Sequence, residues 1–245
     1  MMKRMKIAAL TAGIWIGAFA PVMQAQAEEY VSVSTYNETF TPSGGEDAIL
    51  TVHVEGEPDR DGYLYVICSA EGMVPMGEVT GQNLEGTELE PVSIGSVPFY
   101  RLKTADKEIP AVFKAQFLCP GFYSSKKVAA DNGGENFSVS YKFTNYFPEK
   151  IGKYTLKIEL SQGNQVVRVT KPAAYADFIL SEENGMRAVG LAKGIAPSGT
   201  VNLDFTYNMP VTSGMAGKAV IWVICLVPGL AVVVDRLKKA REGQQ

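Results

Sequence analysis

Apolar and polar residues alternate with a period of two along most of the chain between Tyr30 and Tyr207. Phe137, Val139, Tyr141 and Phe143 fall on one side of such a run, and Ser138, Ser140, Lys142 and Thr144 on the other. One face then meets a core and the other meets water, as in a half-buried antiparallel strand. Tyr154, Leu156, Ile158 and Leu160 repeat the pattern, and so do Val201, Leu203, Phe205 and Tyr207. Further strands are predicted near residues 30–35, 48–55, 62–69, 97–103, 110–119, 165–170, 174–180 and 186–193. Turn chemistry separates them at Pro42-Ser43-Gly44-Gly45, Asp61-Gly62, Asn132-Gly133-Gly134, Gln162-Gly163-Asn164, Asn184-Gly185 and Pro197-Ser198-Gly199. No amphipathic helix is evident among them. The expectation is an all-β region built as an immunoglobulin-like β-sandwich, either one large domain or two small ones. Residues 28–125 would form one sandwich unit, and 126–208 a second unit or the continuation of the first.

The alternation gives way to continuous apolar runs towards both ends. Lys3, Arg4 and Lys6 precede an apolar stretch over residues 7–19, followed by Pro21 and the small-x-small triplet Ala25-Gln26-Ala27. This is the layout of a secretory signal peptide over residues 1–27, cut between Ala27 and Glu28. Residues 214–235 hold a second apolar segment, with Lys218 near its outer end. At about 1.5 Å per residue it reaches across the hydrocarbon core as a single transmembrane helix. Arg236, Lys238, Lys239 and Arg241 follow in residues 236–245. The positive-inside rule therefore puts this tail in the cytoplasm and the strand-rich region outside.

Charge sharpens that division. The whole chain has a formal net charge of −3, yet residues 28–213 carry 24 acids and 15 bases. An acidic ectodomain excludes nucleic acid as an expected partner. Little in it points to catalysis. His53 is the only histidine, and it shares the polar face of its strand with Thr51 and Glu55. A solvated histidine there leaves no Ser-His or His-metal arrangement. Glu57, Asp59 and Asp61 cluster in one turn but lack the spacing of a calcium loop. Residues 69–96 are Gly-rich, with Glu71, Glu78, Glu85, Glu88, Glu90 and no base, and read as a long surface loop. No catalytic residue, metal or cofactor is expected, and the chain is read as no enzyme.

Cys68 shares a face with Leu64 and Val66, and Cys119 with Phe113, Ala115 and Phe117. In an exported chain, two core-facing cysteines read as a disulfide closing a loop of roughly 50 residues. Buried free thiols that behave as small hydrophobes are the alternative. Cys225 lies in the apolar segment and cannot join them.

Met209-Pro210-Val211-Thr212-Ser213 stands directly ahead of that apolar segment and its basic end. The arrangement resembles the LPXTG-like sorting signal of Gram-positive surface proteins of the pilin and adhesin type. Pro210 and Thr212 match the pattern in their places, while Met209 replaces Leu and Ser213 replaces Gly. The resemblance implies a transient partner, a sortase, which would cut between Thr212 and Ser213. It would join Thr212 to the cell wall or to another pilus subunit, on the surface of a Gram-positive cell. A permanently anchored single-pass protein that scaffolds other envelope components is the alternative. Its surface ligand is not named by any residue pattern. Gly152-Lys153-Tyr154-Thr155-Leu156, with Gln165 to Thr170 as hairpin partner, resembles the closing strands of bacterial immunoglobulin-like modules. In related adhesins a buried Glu on such a strand promotes a Lys–Asn crosslink. Glu159 falls one residue late, on the opposite face, so that crosslink is not expected.

Overall fold

A computed structural model of the chain describes residues 32–123, 127–128 and 136–208. The expected signal peptide and its cleavage point, Met209 to Ser213, the apolar segment 214–235 and the basic tail lie outside the described residues. Among the described residues no helix is long and apolar enough to cross a membrane.

The described residues are nearly all β, as the alternation requires. The strands are β1 (Ser32–Gly44), β2 (Asp47–Glu57), β3 (Tyr63–Ile67), β4 (Val74–Gln82), β5 (Glu90–Ile94), β6 (Val97–Lys103), β7 (Ala111–Cys119), β8 (Lys127–Val128), β9 (Asn136–Thr144), β10 (Ile151–Glu159), β11 (Gln165–Lys171), β12 (Ile179–Glu183), β13 (Met186–Ile195) and β14 (Thr200–Asn208). A seven-stranded sheet runs β12-β13-β10-β1-β2-β7-β4. A four-stranded sheet, β11-β14-β9-β8, and a three-stranded one, β3-β6-β5, complete the fold. Strands from both 28–125 and 126–208 thus pair within the seven-stranded sheet.

Aromatic contacts show how the layers meet. Tyr36 of β1 lies 5.3 Å from Phe143 of β9, and Phe143 stacks 4.4 Å from Tyr154 of β10. Phe40 of β1 meets Tyr141 of β9 edge-on at 5.0 Å. Tyr100 of β6 approaches Phe117 of β7 to 5.3 Å. The four-stranded and three-stranded sheets therefore both pack on the inner face of the seven-stranded one. Alternate residues of β2 (Ala48, Leu50, Val52, Val54) and of β7 (Ala111, Phe113, Ala115, Phe117, Cys119) are buried between the layers. Tight turns follow their sequence signals. Asn184 and Gly185 both adopt positive φ, 53° and 77°, as a two-residue hairpin between β12 and β13 demands.

Four expectations change. The first strand is not confined to residues 30–35; β1 continues to Gly44, with Glu38 at an inward position between Tyr36 and Phe40. Residues 69–96 are not one loop. They contain β4 and β5, and β4 is an edge strand in which only Val79 is buried. A bulge between Met76 and Thr80 interrupts its pairing with β7, so no alternation survives in the sequence. β10 and β11 do not form a hairpin: β10 lies between β1 and β13, and β11 pairs with β14 in the other sheet. Both hydrogen-bonding edges of β10 are occupied, so the turn after it carries the chain across to the opposite layer. Finally, β1 and β10 pair in parallel, Tyr36 beside Tyr154, whereas the alternation of the 154–160 run predicts an antiparallel strand.

Phe113 is 0% exposed, whereas Gln116, on the same strand, faces outward. Phe113→Ala is expected to cost about 3–5 kcal/mol in urea unfolding, and Gln116→Ala less than about 0.5 kcal/mol.

Candidate functional site

The most unusual chemistry in the fold is an acid in the aromatic core. β1 points Tyr36, Glu38 and Phe40 inward, and all three are 0% exposed. Glu38 Oε2 receives the Tyr141 hydroxyl at 2.7 Å and the Tyr154 hydroxyl at 2.6 Å. Its other oxygen, Oε1, lies 2.6 Å from Ser69 Oγ. The parallel β1–β10 register sets Tyr154 beside Tyr36, and β9 crosses from the facing sheet to bring Tyr141. Tyr36 OH accepts the backbone N–H of Ile67 at 3.1 Å, tying β3 to the same cluster. One carboxyl thus links β1, β9, β10 and the chain just after β3.

Among the described residues no lysine, arginine or histidine pairs with Glu38. Burial raises its pKa, and the three hydroxyl contacts only partly offset this. Burial and the neighbouring Glu38 charge also push Tyr36, Tyr141 and Tyr154 well above the usual phenol value.

Two open clefts flank Ser69. One, of about 440 Å³, is lined by Ser69, Glu71, Cys119, Tyr141 and Lys142. The other, of about 430 Å³, is lined by Cys68, Ser69, Met73 and Tyr100. Cys68 and Cys119, expected as a disulfide, are both free thiols in the structure. Cys119 is buried and Cys68 half-buried. Desolvation pushes the Cys68 thiol up to about 11 and the Cys119 thiol up to about 12. At neutral pH both are held as thiols rather than as nucleophilic thiolates.

The other sequence-derived positions are dispersed. His53 sits on the outer face of the seven-stranded sheet, between Asn37 and Lys114. In the acidic turn, Asp59 accepts the backbone N–H groups of Asp61 and Tyr63 at 3.0 and 2.8 Å, and the Tyr65 hydroxyl at 2.6 Å. It organises the turn. Among the described residues no cluster of three or more His, Cys, Asp or Glu side chains could hold a metal. Glu159 bonds Thr41 at 2.9 Å and pairs with Lys157 at 2.7 Å, away from Glu38. Ala27, Glu28, Met209, Pro210, Val211, Thr212 and Ser213 lie outside the described residues. Glu38 was missed because Asn37-Glu38-Thr39 reads as a polar break after residue 35. The signal available was the spacing Tyr36-x-Glu38-x-Phe40, a lone acid on an apolar face.

No family model matches the chain, and no curated protein sequence is similar to it. Solved structures with partial likeness include the M1 zinc metallopeptidase from Deinococcus radiodurans, at 10% identity and a TM-score of 0.38. That match covers 73% of this chain and 42% of the peptidase. Native yeast LTA4 hydrolase is 10% identical with a TM-score of 0.44, over 71% of this chain and 29% of the hydrolase. Aminopeptidase A of Legionella pneumophila is 12% identical with a TM-score of 0.40, over 74% and 22%. The chain thus spans less than half the length of each of these proteins, and likeness of this degree carries no inference about activity.

Two measurements check the site. Tyr154→Phe removes one hydroxyl from Glu38 and is expected to cost about 1–3 kcal/mol in urea unfolding. Thiol titration of the non-reduced full chain in denaturant should count all 3 cysteines. A count of one would instead show Cys68 and Cys119 bridged.

Proposed function

We propose that the chain is a non-catalytic structural or adhesive protein of the Gram-positive cell surface, a pilus subunit or adhesin. Its β-rich body would be exported behind the signal peptide and joined by a sortase, through Thr212, to the wall or to another subunit. The observation that carries this reading is the order of signals. The last strand, β14, ends at Asn208, and Met209-Pro210-Val211-Thr212-Ser213 follows at once, ahead of the apolar run and its basic end. Such an order would give an enzyme a substrate segment next to a folded domain and outside the membrane. The finer description of the body as an immunoglobulin-like sandwich belongs to the same proposal. It is supported by two facing layers around one aromatic core.

One observation favours a second reading. Ser213 replaces the glycine that the resemblance places after the cut bond. A side chain there crowds a tight enzyme pocket, which favours a single-pass protein that keeps its helix and scaffolds other envelope components.

Fractionation of the producing cells separates the two. Release by muramidase as a high-mass ladder is expected, and Thr212→Ala should abolish the ladder and leave a detergent-extractable chain. Extraction of the unaltered protein by detergent alone, at full mature mass, would sink the sortase reading.

A further inference from the structure

An outer strand of a sheet leaves half of its backbone hydrogen-bonding groups without a partner, and folds guard such edges with bulges, prolines or cover. Among the described residues most outer strands are guarded in this way. β4 carries a bulge between Met76 and Thr80 and contains Pro75, and β11 carries two bulges. β5 contains Pro91, β8 is two residues long, and β3 is buried at four of its five positions. β12, Ile179-Leu180-Ser181-Glu182-Glu183, has none of these devices. It ends the seven-stranded sheet in regular register and is exposed at all five residues.

The Asn184-Gly185 hairpin fixes which groups face out. In a two-residue hairpin the residues flanking the turn, Glu183 and Met186, exchange hydrogen bonds, and the pattern then alternates along the strand. Glu183, Ser181 and Ile179 therefore bond to β13. The N–H and C=O of Glu182, Leu180 and Phe178 point away from it. Phe178 stands just before the strand and is extended, with φ −138° and ψ 161°, so it continues the same edge. Apolar side chains flank these groups. Ile179 is 60% exposed on the outer face. Leu180 is 46% exposed beside buried Val189, and it turns inward over an open groove of about 260 Å³ that it shares with Val166 of β11.

We propose that β12 is the edge through which two copies of this protein associate: the strands pair antiparallel about a two-fold axis at Leu180 and join two seven-stranded sheets into one. In that register Leu180 stands opposite its own counterpart and Phe178 opposite Glu182. Each outward N–H then meets an outward C=O over three residues of each strand. The two Leu180 side chains meet across the axis beside the groove, and Ile179 meets Ser181 on the other face. Charge selects this register over its neighbours. Glu182 is held by Arg187 at 3.1 Å and lies about 14 Å from its counterpart when the axis is at Leu180. An axis at Ser181 would bring the two Glu182 onto the diagonal, and an axis at Glu182 would set them directly opposite, which is destabilising. Glu183 is drawn to Lys157 at 3.5 Å, and the 3₁₀ helix Tyr175–Asp177 ends the ladder before an acid can face it. A seam this short falls among the weak interfaces, below about 1,200 Å² of buried surface. Dimers should therefore form at roughly 100 μM and above.

The test is a crosslink at the axis. Opposed residues of a hydrogen-bonded antiparallel pair have Cα atoms about 5.5 Å apart, within disulfide reach, whereas the two Glu182 are too distant. The full-length chain with Cys225→Ser, which removes the thiol of the apolar segment, is oxidised in detergent at high concentration. It is compared with the same chain carrying Leu180→Cys or Glu182→Cys. A disulfide-linked dimer is expected from Leu180→Cys alone. No dimer, or as much from Glu182→Cys, overturns the proposal. So does linkage of Leu180→Cys, in the producing cells, to a protein of another mass. A second readout needs no oxidation. Leu180→Asp sets two carboxylates across the axis at an exposed position and should raise the dimer dissociation constant at least about tenfold in sedimentation equilibrium. An unchanged constant overturns the proposal.

Discussion

The constraint on which the rest of this structure depends is the solvation of one carboxyl group. Glu38 is 0% exposed among Tyr36, Phe40, Tyr141 and Tyr154, where a bare charge would cost several kcal/mol. Its protein surroundings must supply what water would have supplied. They do so with hydroxyls drawn from β9, β10 and the chain after β3. Each of those donors is useful only if its strand sits in one register. A single-residue slip of β10 would turn Tyr154 to the outer face and leave Glu38 short of a donor. The polar cluster therefore adds to the register that the buried apolar face of β10, Leu156 and Ile158, already specifies, and it bears most directly on the parallel β1–β10 pair.

The same cluster explains why the two halves of the sequence are interleaved. β10 and β13 extend the sheet that β1, β2 and β7 begin, and β9 and β14 cover it. Tyr123 reinforces the join, since its hydroxyl donates to Glu159 O at 2.5 Å from a position just after β7. Apolar burial supplies most of the stabilisation. The hydroxyl–carboxyl contacts join β9, β10 and the chain after β3 to β1.

Much of this was legible in the sequence where alternation was strict. β2, β7, β9, β10 and β14 follow from their period-two patterns, and Asn184-Gly185 marks its hairpin. β4 was not legible because an edge strand need bury only one residue, and a bulge breaks what pattern remains. β3 is buried at Leu64, Tyr65, Val66 and Ile67 alike, so its period carries no face. Strand direction and partner are not written in periodicity at all, which is why β1–β10 and the separation of β10 from β11 emerged only in three dimensions. Glu38 was hidden for a different reason. A local reading treats a charged residue as the end of a buried strand, and its partners Ser69, Tyr141 and Tyr154 stand 31, 103 and 116 residues away.

The proposed attachment signal and the buried carboxyl occupy separate parts of the chain, so each reading can fail without the other. The physical core of the structural account is that Tyr141 and Tyr154 act on one oxygen as a unit. A double-mutant cycle with Tyr141→Phe and Tyr154→Phe, read by urea unfolding, measures this directly. A coupling energy of about 0.5–3 kcal/mol is expected for groups sharing one partner. Additivity within about 0.3 kcal/mol would contradict it.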